Sequence, residues 1–123
     1  MPSGTTMKMR CGMKFDPGCV VLVSFPFSDL QNAKKRPVLL LTAPDSYGDF
    51  ICLAITSREH HANSVVLNQD DMAEGVLPKL SWIRTDKVFT LSQGGIVKTV
   101  GRVKREIIEQ SLEGLCSSVS YLG

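Results

Sequence analysis

The sequence predicts a mainly β protein, a small and strongly curved antiparallel sheet or barrel with one helix at its C-terminal end. Two observations predict this class. Short apolar, β-branched runs follow one another quickly between residues 19 and 103, separated by Pro, Gly, Asn and Asp. From residue 105 onward, apolar residues recur at helical spacing instead. The chain has 123 residues, 43% of them hydrophobic, which suits one domain with a real core.

The strands can be justified in chain order, because each apolar run ends at a turn signal. The first run stops at Pro26, the second at Pro44-Asp45, and the last begins after Gly94-Gly95. The predicted strands are 19–25, 37–42, 50–56, 64–67, one or two within 76–88, and 96–103.

The predicted helix covers residues 105–122 and carries a single apolar stripe. Glu106 lies near its start, where the helix dipole favours negative charge. Gly114 costs about 1 kcal/mol relative to alanine, so the helix needs to pack its stripe against the sheet. Residues 1–14 lack periodicity and are expected to form a flexible tail, which leaves 15–123 as a single domain.

Composition narrows the class of protein. No apolar run is long enough to span a bilayer, and the first eighteen residues contain no apolar signal segment, so we expect a cytoplasmic protein without a membrane partner. The four cysteines show no C-x-x-C pair, which favours reduced thiols over a metal site. Residues 79–105 contain seven basic residues and one acid, a stripe that either attracts a polyanion or is a solvated face.

The stretch from Ile83 to Lys87 indicates the chemistry most clearly. In a strand, Arg84 and Asp86 project to one face and Thr85 to the other. A guanidinium can hold a phosphate and a carboxylate can take a proton, which together suit phosphodiester chemistry. The open alternative is a surface ion pair worth about 1 kcal/mol or less.

Two other segments accompany this pair. Arg36 precedes Pro37 and is therefore biased toward an extended backbone at a strand entrance. Thr56-Ser57 closes the third apolar run, where two hydroxyls can bind phosphate or simply end the strand.

The order and spacing of these segments resemble the MazF/PemK toxin family of sequence-specific endoribonucleases from type II toxin–antitoxin systems. The similarity runs from about Pro17 to Leu122. Its carriers are Gly18-x-Val20-Val21-Leu22-Val23-x-Phe25-Pro26-Phe27, Lys35-Arg36-Pro37-Val38-Leu39, Ala54-Ile55-Thr56-Ser57, Leu77-x-Lys79-x-Ser81, Ile83-Arg84-Thr85-Asp86-Lys87-Val88-Phe89 and Gly101.

The resemblance implies an SH3-like barrel, a homodimer, a cognate antitoxin partner, and cofactor-free, metal-independent cleavage of single-stranded RNA to 2′,3′-cyclic phosphate and 5′-hydroxyl ends. Arg36 matches the arginine that stabilises the scissile phosphate, and Thr56 the hydroxyl that helps hold it. Arg84 and Asp86 match the Arg-x-Asp pair that looks like general acid and general base. The resemblance also makes Ser57, Lys35 and Lys87 candidate substrate-binding residues.

The chain departs from the family pattern at two places. The usual Gly-Asp opening is Gly18-Cys19 here, so a carboxylate that braces the first strand is missing. The loop from Ser28 to Lys35 lacks the Glu and His of some relatives, so it indicates no sequence preference.

Three rival interpretations remain at the level of sequence. His60 and His61 follow Arg58-Glu59 and are interpreted as exposed loop residues rather than an acid–base pair. Cys52 and Arg58 match the C-x5-R pattern of cysteine phosphatases, but the interior is apolar and no helix follows. The third is a non-catalytic SH3-like module that binds RNA or protein.

Overall fold

The structure, a computed structural model, describes residues 15–25, 34–59 and 62–119. Within these ranges it contains seven β-strands, two short 3₁₀ helices and one α-helix. The elements are β1 (Cys19–Phe25), β2 (Lys34–Leu40), β3 (Asp49–Thr56), β4 (Ser64–Leu67), β5 (Met72–Gly75), β6 (Ser81–Ser92), β7 (Ile96–Val103) and α1 (Arg105–Val119), with 3₁₀ turns at Gln69–Asp71 and Gln93–Gly95.

All seven described strands form one antiparallel sheet in the order β4-β6-β3-β2-β1-β7-β5, curled into a half-barrel with the helix at the C-terminal end. This confirms the predicted mainly β class. The predicted bounds of β1, β4 and β7 are correct to the residue. The predicted tail, residues 1–14, lies outside the described residues.

Residues 72–92 depart from the sequence-based prediction. Residues 76–80 are not a strand, β6 continues to Ser92, and β5 was not predicted at all. The sequence of β5 is Met-Ala-Glu-Gly, which is buried only at Met72, because β5 is an edge strand that pairs with β7 alone. Such a segment has no apolar alternation that could reveal it.

The central strands are buried on both faces, which explains why their sequences read as continuous apolar runs. Alternate residues belong to two separate clusters. Odd-numbered positions of β2 and β3, such as Leu39 and Leu53, join a helix-side cluster with Ile83 of β6 and Ile107 of α1. Their neighbours Val38, Leu40 and Cys52 join a second cluster on the opposite face of these strands. Truncating a fully buried residue such as Leu53 to alanine would cost about 2–5 kcal/mol.

Close approach of two backbones joins β5 to β7. Gly75 has a φ of +87°, and a Cβ added there would overlap the carbonyl oxygen of Val100. A Cβ at Gly101 would overlap the carbonyl of Glu74. Glycine at both positions therefore lets the edge strand β5 approach β7 closely enough to pair with it.

Candidate active site

Arg84 and Asp86 form a two-point ion pair on the surface of β6. Arg84 donates from Nε to Asp86 Oδ1 and from Nη2 to Oδ2, each at 3.1 Å. The two side chains are 22% and 31% exposed, so both can be reached from solvent. The predicted same-face arrangement is present, because Thr85 between them is buried and points to the helix side.

The pair lies at an irregularity of the β3–β6 ladder. Ala54 pairs with Arg84, whereas the preceding residue Leu53 pairs with Val88. Thr85, Asp86 and Lys87 are therefore extra residues on β6, and a bulge of this kind turns side chains away from the regular pleat. Asp86 and Lys87 are exposed on this bulge.

Thr56 and Arg36 lie on β3 and β2, the two strands that follow β6 in the sheet order. The β2–β3 pairing ends at Val38 and Ala54, and the same register continued by two residues would put Arg36 opposite Thr56. Thr56 in turn pairs with Trp82 of β6, two residues before Arg84. In that register, strand spacing would put the Cα atoms of Arg36 and Arg84 about 12 Å apart, a span that two arginine side chains reaching over β3 could close.

Alternation puts Arg36, Thr56 and Arg84 on one face of the sheet. Arg36 lies two residues from Val38, and Thr56 two residues from Ala54, which pairs with both Val38 and Arg84. The Thr56 hydroxyl accepts a 3.1 Å hydrogen bond from the backbone N–H of Arg58. That bond orients the hydroxyl, whose proton can be donated to an anion.

A groove of about 590 Å³ opens at the same end of the sheet but on the helix-side face, since Val20 and Ile55 of its lining belong to the helix-side cluster. Its floor is apolar, with Val20, Leu22 and Ile55 among the lining residues, and the residues 76–79 form one wall. Two predicted substrate-binding residues, Lys35 and Ser57, line it together with the predicted catalytic residues Arg36 and Thr56. The other three predicted site residues, Arg84, Asp86 and Lys87, are not among the residues that line it.

Two further cationic residues of this groove, Lys79 and Lys98, were not among the predicted site residues. They come from the β5–β6 connection and from β7. The groove thus brings together four cationic side chains, and none of its described lining residues is acidic. The basic stripe of residues 79–105 was the signal that pointed to them. Arg102, another basic residue of the stripe, does not line the groove and instead forms an ion pair with Asp16 at 3.4 Å.

The thiol of Cys52 is unsuited to nucleophilic chemistry. Cys52 lies within β3 with no exposed surface, and burial raises the pKa of its thiol from 9.0 to about 12. Because the thiolate is the nucleophile, the C-x5-R match with Arg58 is accidental. His60 and His61 lie outside the described residues.

Cys19 stands where the family pattern has an aspartate, and the carboxylate nearest the start of β1 is that of Asp16 instead. Cys19 is fully buried in the second cluster, with Val38 and Cys52. Asp16, three residues earlier, supplies a carboxylate that accepts from Arg102 Nη2 on β7. The altered loop of residues 28–35 falls largely outside the described residues.

The described part of the chain contains neither a metal-binding cluster nor a membrane-spanning helix. No group of three or more His, Cys, Asp or Glu side chains there could hold a metal ion. None of the helical segments in that part combines the length and apolar character needed to cross a membrane.

Comparison with solved structures shows the same fold. An endoribonuclease in complex with its cognate antitoxin from a mycobacterial species superposes with a TM-score of 0.67 at 14% identity, covering 86% of this chain and 95% of its own. The Mycobacterium tuberculosis toxin MazF-mt6 gives 0.63 at 19% identity, covering 83% and 96%. A MazE–MazF crystal structure from Deinococcus radiodurans gives 0.70 at 17% identity, covering 85% and 95%.

Sequence comparison identifies a family, although no individual curated protein sequence matches the chain significantly. The family described as PemK-like, MazF-like toxin of type II toxin–antitoxin system matches residues 16–119, which is most of the chain. The protein therefore belongs to the PemK-like, MazF-like toxin family of type II toxin–antitoxin systems.

Proposed function

We propose that this toxin is an endoribonuclease that cleaves single-stranded RNA at short specific sequences without a metal ion. The observation that carries the proposal is the two-point Arg84–Asp86 pair on an exposed bulge, in the same sheet neighbourhood as Arg36 and Thr56. Similarity in fold to proteins named as endoribonucleases supports the same activity.

In the proposed reaction Asp86 takes the proton from a ribose 2′-hydroxyl, and the 2′-oxygen attacks the adjacent phosphorus. The new O2′–P bond forms as the P–O5′ bond breaks, so the products are a 2′,3′-cyclic phosphate and a 5′-oxygen that takes a proton from water. A carboxylate offers about four lone-pair positions, so one that is held by a guanidinium can still accept this proton.

Arg84 and Arg36 stabilise the charge that develops on the phosphorane and on the leaving oxygen. Arg84 acts by its fixed positive charge rather than by giving up a proton, because the pKa of an arginine side chain lies above about 12. Thr56, oriented by its bond from the Arg58 N–H, donates its hydroxyl proton to a non-bridging phosphate oxygen. DNA lacks the 2′-hydroxyl and would remain uncut.

The groove supplies the binding energy for the rest of the strand. Lys35, Lys79 and Lys98 would neutralise flanking phosphates, Ser57 and Lys87 would contact the nucleotides nearest the cleaved bond, and the apolar floor would accept an unstacked base. Such contacts need splayed nucleotides, which is why single-stranded RNA is the proposed substrate.

A cognate antitoxin and a homodimer complete the proposal. An acidic, partly disordered antitoxin segment would suit the same cationic groove, so that RNA and antitoxin compete. Two of the structural neighbours described above contain an antitoxin, which supports this arrangement. We expect the toxin to act in the cytoplasm, where its RNA substrate would be.

Incubation of purified protein with RNA in EDTA tests the activity. We expect fragments with 5′-hydroxyl ends, detected by enzymatic end-labelling before and after phosphatase treatment, and no cutting of a DNA strand of the same sequence. Asp86→Asn and Arg36→Ala should each lower the cleavage rate by about 100-fold or more, since each removes charge stabilisation or proton transfer from the transition state.

Asp70→Asn and Arg105→Ala are matched controls, because both residues are exposed and neither lines the groove. Unchanged rates in Asp86→Asn and Arg36→Ala would refute the catalytic assignment. RNA binding without any cleavage by the wild-type protein would favour the alternative, a non-catalytic SH3-like module that binds RNA or protein.

A further inference from the structure

We propose that Thr85 and Gly114 form a packing contact that positions the Arg84–Asp86 pair for the reaction. The inference rests on the proposed function and extends it to two residues that touch neither substrate nor the reacting atoms. Thr85 lies between the paired residues in sequence, and Gly114 lies on α1 behind them.

Thr85 is the inward-facing residue of the bulge. Its side chain is only 1% exposed, whereas Asp86 and Lys87 beside it are exposed. Within the described part of the chain, Thr85 Oγ1 has no hydrogen-bond partner. A buried hydroxyl without a partner is costly, so the side chain must be held there by its shape and by the packing around it.

Gly114 provides the surface against which Thr85 packs. A Cβ added at Gly114 would lie 2.7 Å from Thr85 Cγ2, 3.0 Å from its Cβ and 3.1 Å from its Oγ1. Threonine is β-branched and stiff, so it could not turn aside to make room. The helix backbone thus lies directly on Thr85, at a position where glycine is unfavourable for the helix itself.

The regular ladder does not fix the conformation of the bulge. Its extra residues interrupt the β3–β6 pairing, and the Thr85 N–H instead donates to the carbonyl oxygen of Asn63 at 2.9 Å. This backbone bond and the packed side chain of Thr85 hold the bulge from the helix side. A shift of Thr85 would displace Arg84 and Asp86, its two neighbours in sequence. The pair would then no longer be oriented toward the phosphate.

Substitution at Gly114 gives the sharpest test. Gly114→Ala should lower kcat for RNA cleavage about 10- to 100-fold, the effect expected of a displacement near 1 Å, with KM changed less than about twofold. The double variant Thr85→Ala/Gly114→Ala should recover part of kcat, because removal of Cγ2 and Oγ1 leaves only the 3.0 Å contact with the Cβ of residue 85. Gly95→Ala is the matched control, since a Cβ there meets nothing within 4 Å.

Variants of Thr85 cover the case in which Gly114→Ala fails to fold. Thr85→Val preserves the shape and removes a hydroxyl that has no described partner, so it should retain kcat within about threefold. Thr85→Ala leaves a void and should lower kcat. Loss of kcat in Thr85→Val together with normal kcat in Thr85→Ala would overturn a role that depends on shape. So would unchanged kcat in a folded Gly114→Ala protein.

A spectroscopic readout separates this inference from the proposed function. The NMR signal of Arg84 Nε–Hε reports its bond to Asp86, and Asp86→Asn gives the reference for a broken pair. We expect this signal to shift toward that reference in Gly114→Ala and to move part of the way back in the double variant. An unmoved signal would overturn the positioning role even if RNA is cleaved. A moved signal in a protein that cleaves no RNA would support the packing role of Gly114 and refute only the activity.

Discussion

Single side chains at the candidate site contribute little to folding and much to the proposed chemistry. The Arg84–Asp86 pair is partly exposed, and such pairs stabilise proteins by about 1 kcal/mol or less. Asp86→Asn should therefore leave the free energy of unfolding nearly unchanged, so that a loss of cleavage in this variant can be assigned to the reaction. The two-point pair is accordingly expected to matter for the proposed reaction more than for stability.

The cysteines give a prediction at the same scale. At pH 8 an alkylating reagent should label Cys116 on the exposed face of α1 and leave Cys19 and Cys52 unlabelled. Burial raises the pKa of the Cys52 thiol from 9.0 to about 12, so below pH 9 this thiol stays protonated and unreactive in the folded protein. Mass spectrometry of the labelled peptides measures the order of reaction.

Unfolding in urea serves as the control, because all four cysteines should then react. Labelling of Cys52 as fast as Cys116 in the folded protein would contradict its burial and reopen the question of nucleophilic chemistry at the C-x5-R match.

Among the secondary-structure elements, β6 determines the arrangement of the site. Its first four residues, Ser81 to Arg84, lie beside β4 and its last five pair with the first half of β3. Because of the bulge between these halves, they pair with β3 in two different registers. The bulge presents the Arg84–Asp86 pair outward while Ile83 and Thr85 stay buried. Residues 76–79, in the connection before β6, form one wall of the cationic groove.

We expect substitution of the groove lysines to weaken RNA binding in a salt-dependent way. Lys79→Glu combined with Lys98→Glu should weaken RNA binding by about tenfold or more near 0.1 M salt. The slope of log Kd against log salt should fall by about 0.7 for each phosphate that the protein no longer neutralises. Binding to an acidic antitoxin should weaken in parallel if the groove serves both partners.

Lys104→Glu combined with Arg105→Glu is the matched control for this charge reversal, because it changes the net charge equally and both residues are exposed in the same basic stripe without lining the groove. An equal loss of affinity in this control would mean that net charge, not the groove, determines binding.

At the scale of the whole molecule, exposed apolar side chains agree with the proposed homodimer. Ile51 of β3 and Val88 of β6 are 40% and 44% exposed on the helix-side face of adjacent strands. Leu112 and Val119 of α1, the helix that packs against β6 and β4, are 42% and 62% exposed. Apolar surface of this kind is typical of protein–protein interfaces.

If the proposed homodimer forms through this surface, Ile51→Lys combined with Val88→Lys should leave the protein monomeric, because two buried charges per subunit would oppose association. Light scattering after size exclusion measures the mass. Val97→Lys on β7, with 46% exposure at the wild-type valine, is the matched control. A dimer that persists in the double variant would show that the subunits meet elsewhere.

The sequence by itself determined the strands whose apolar runs end at turn signals, the helix with its stripe, and the Arg84-x-Asp86 arrangement, because all of these depend on local periodicity. Phe89 and Leu91 alternate with Thr90 and Ser92 and could have revealed the full length of β6. Only the tertiary structure decided the rest. The edge strand β5, the bulge at Thr85 and the groove with Lys79 and Lys98 each depend on pairing between segments far apart in the chain. Their physical basis is strand register and the packing of α1, to which no local pattern of residues corresponds.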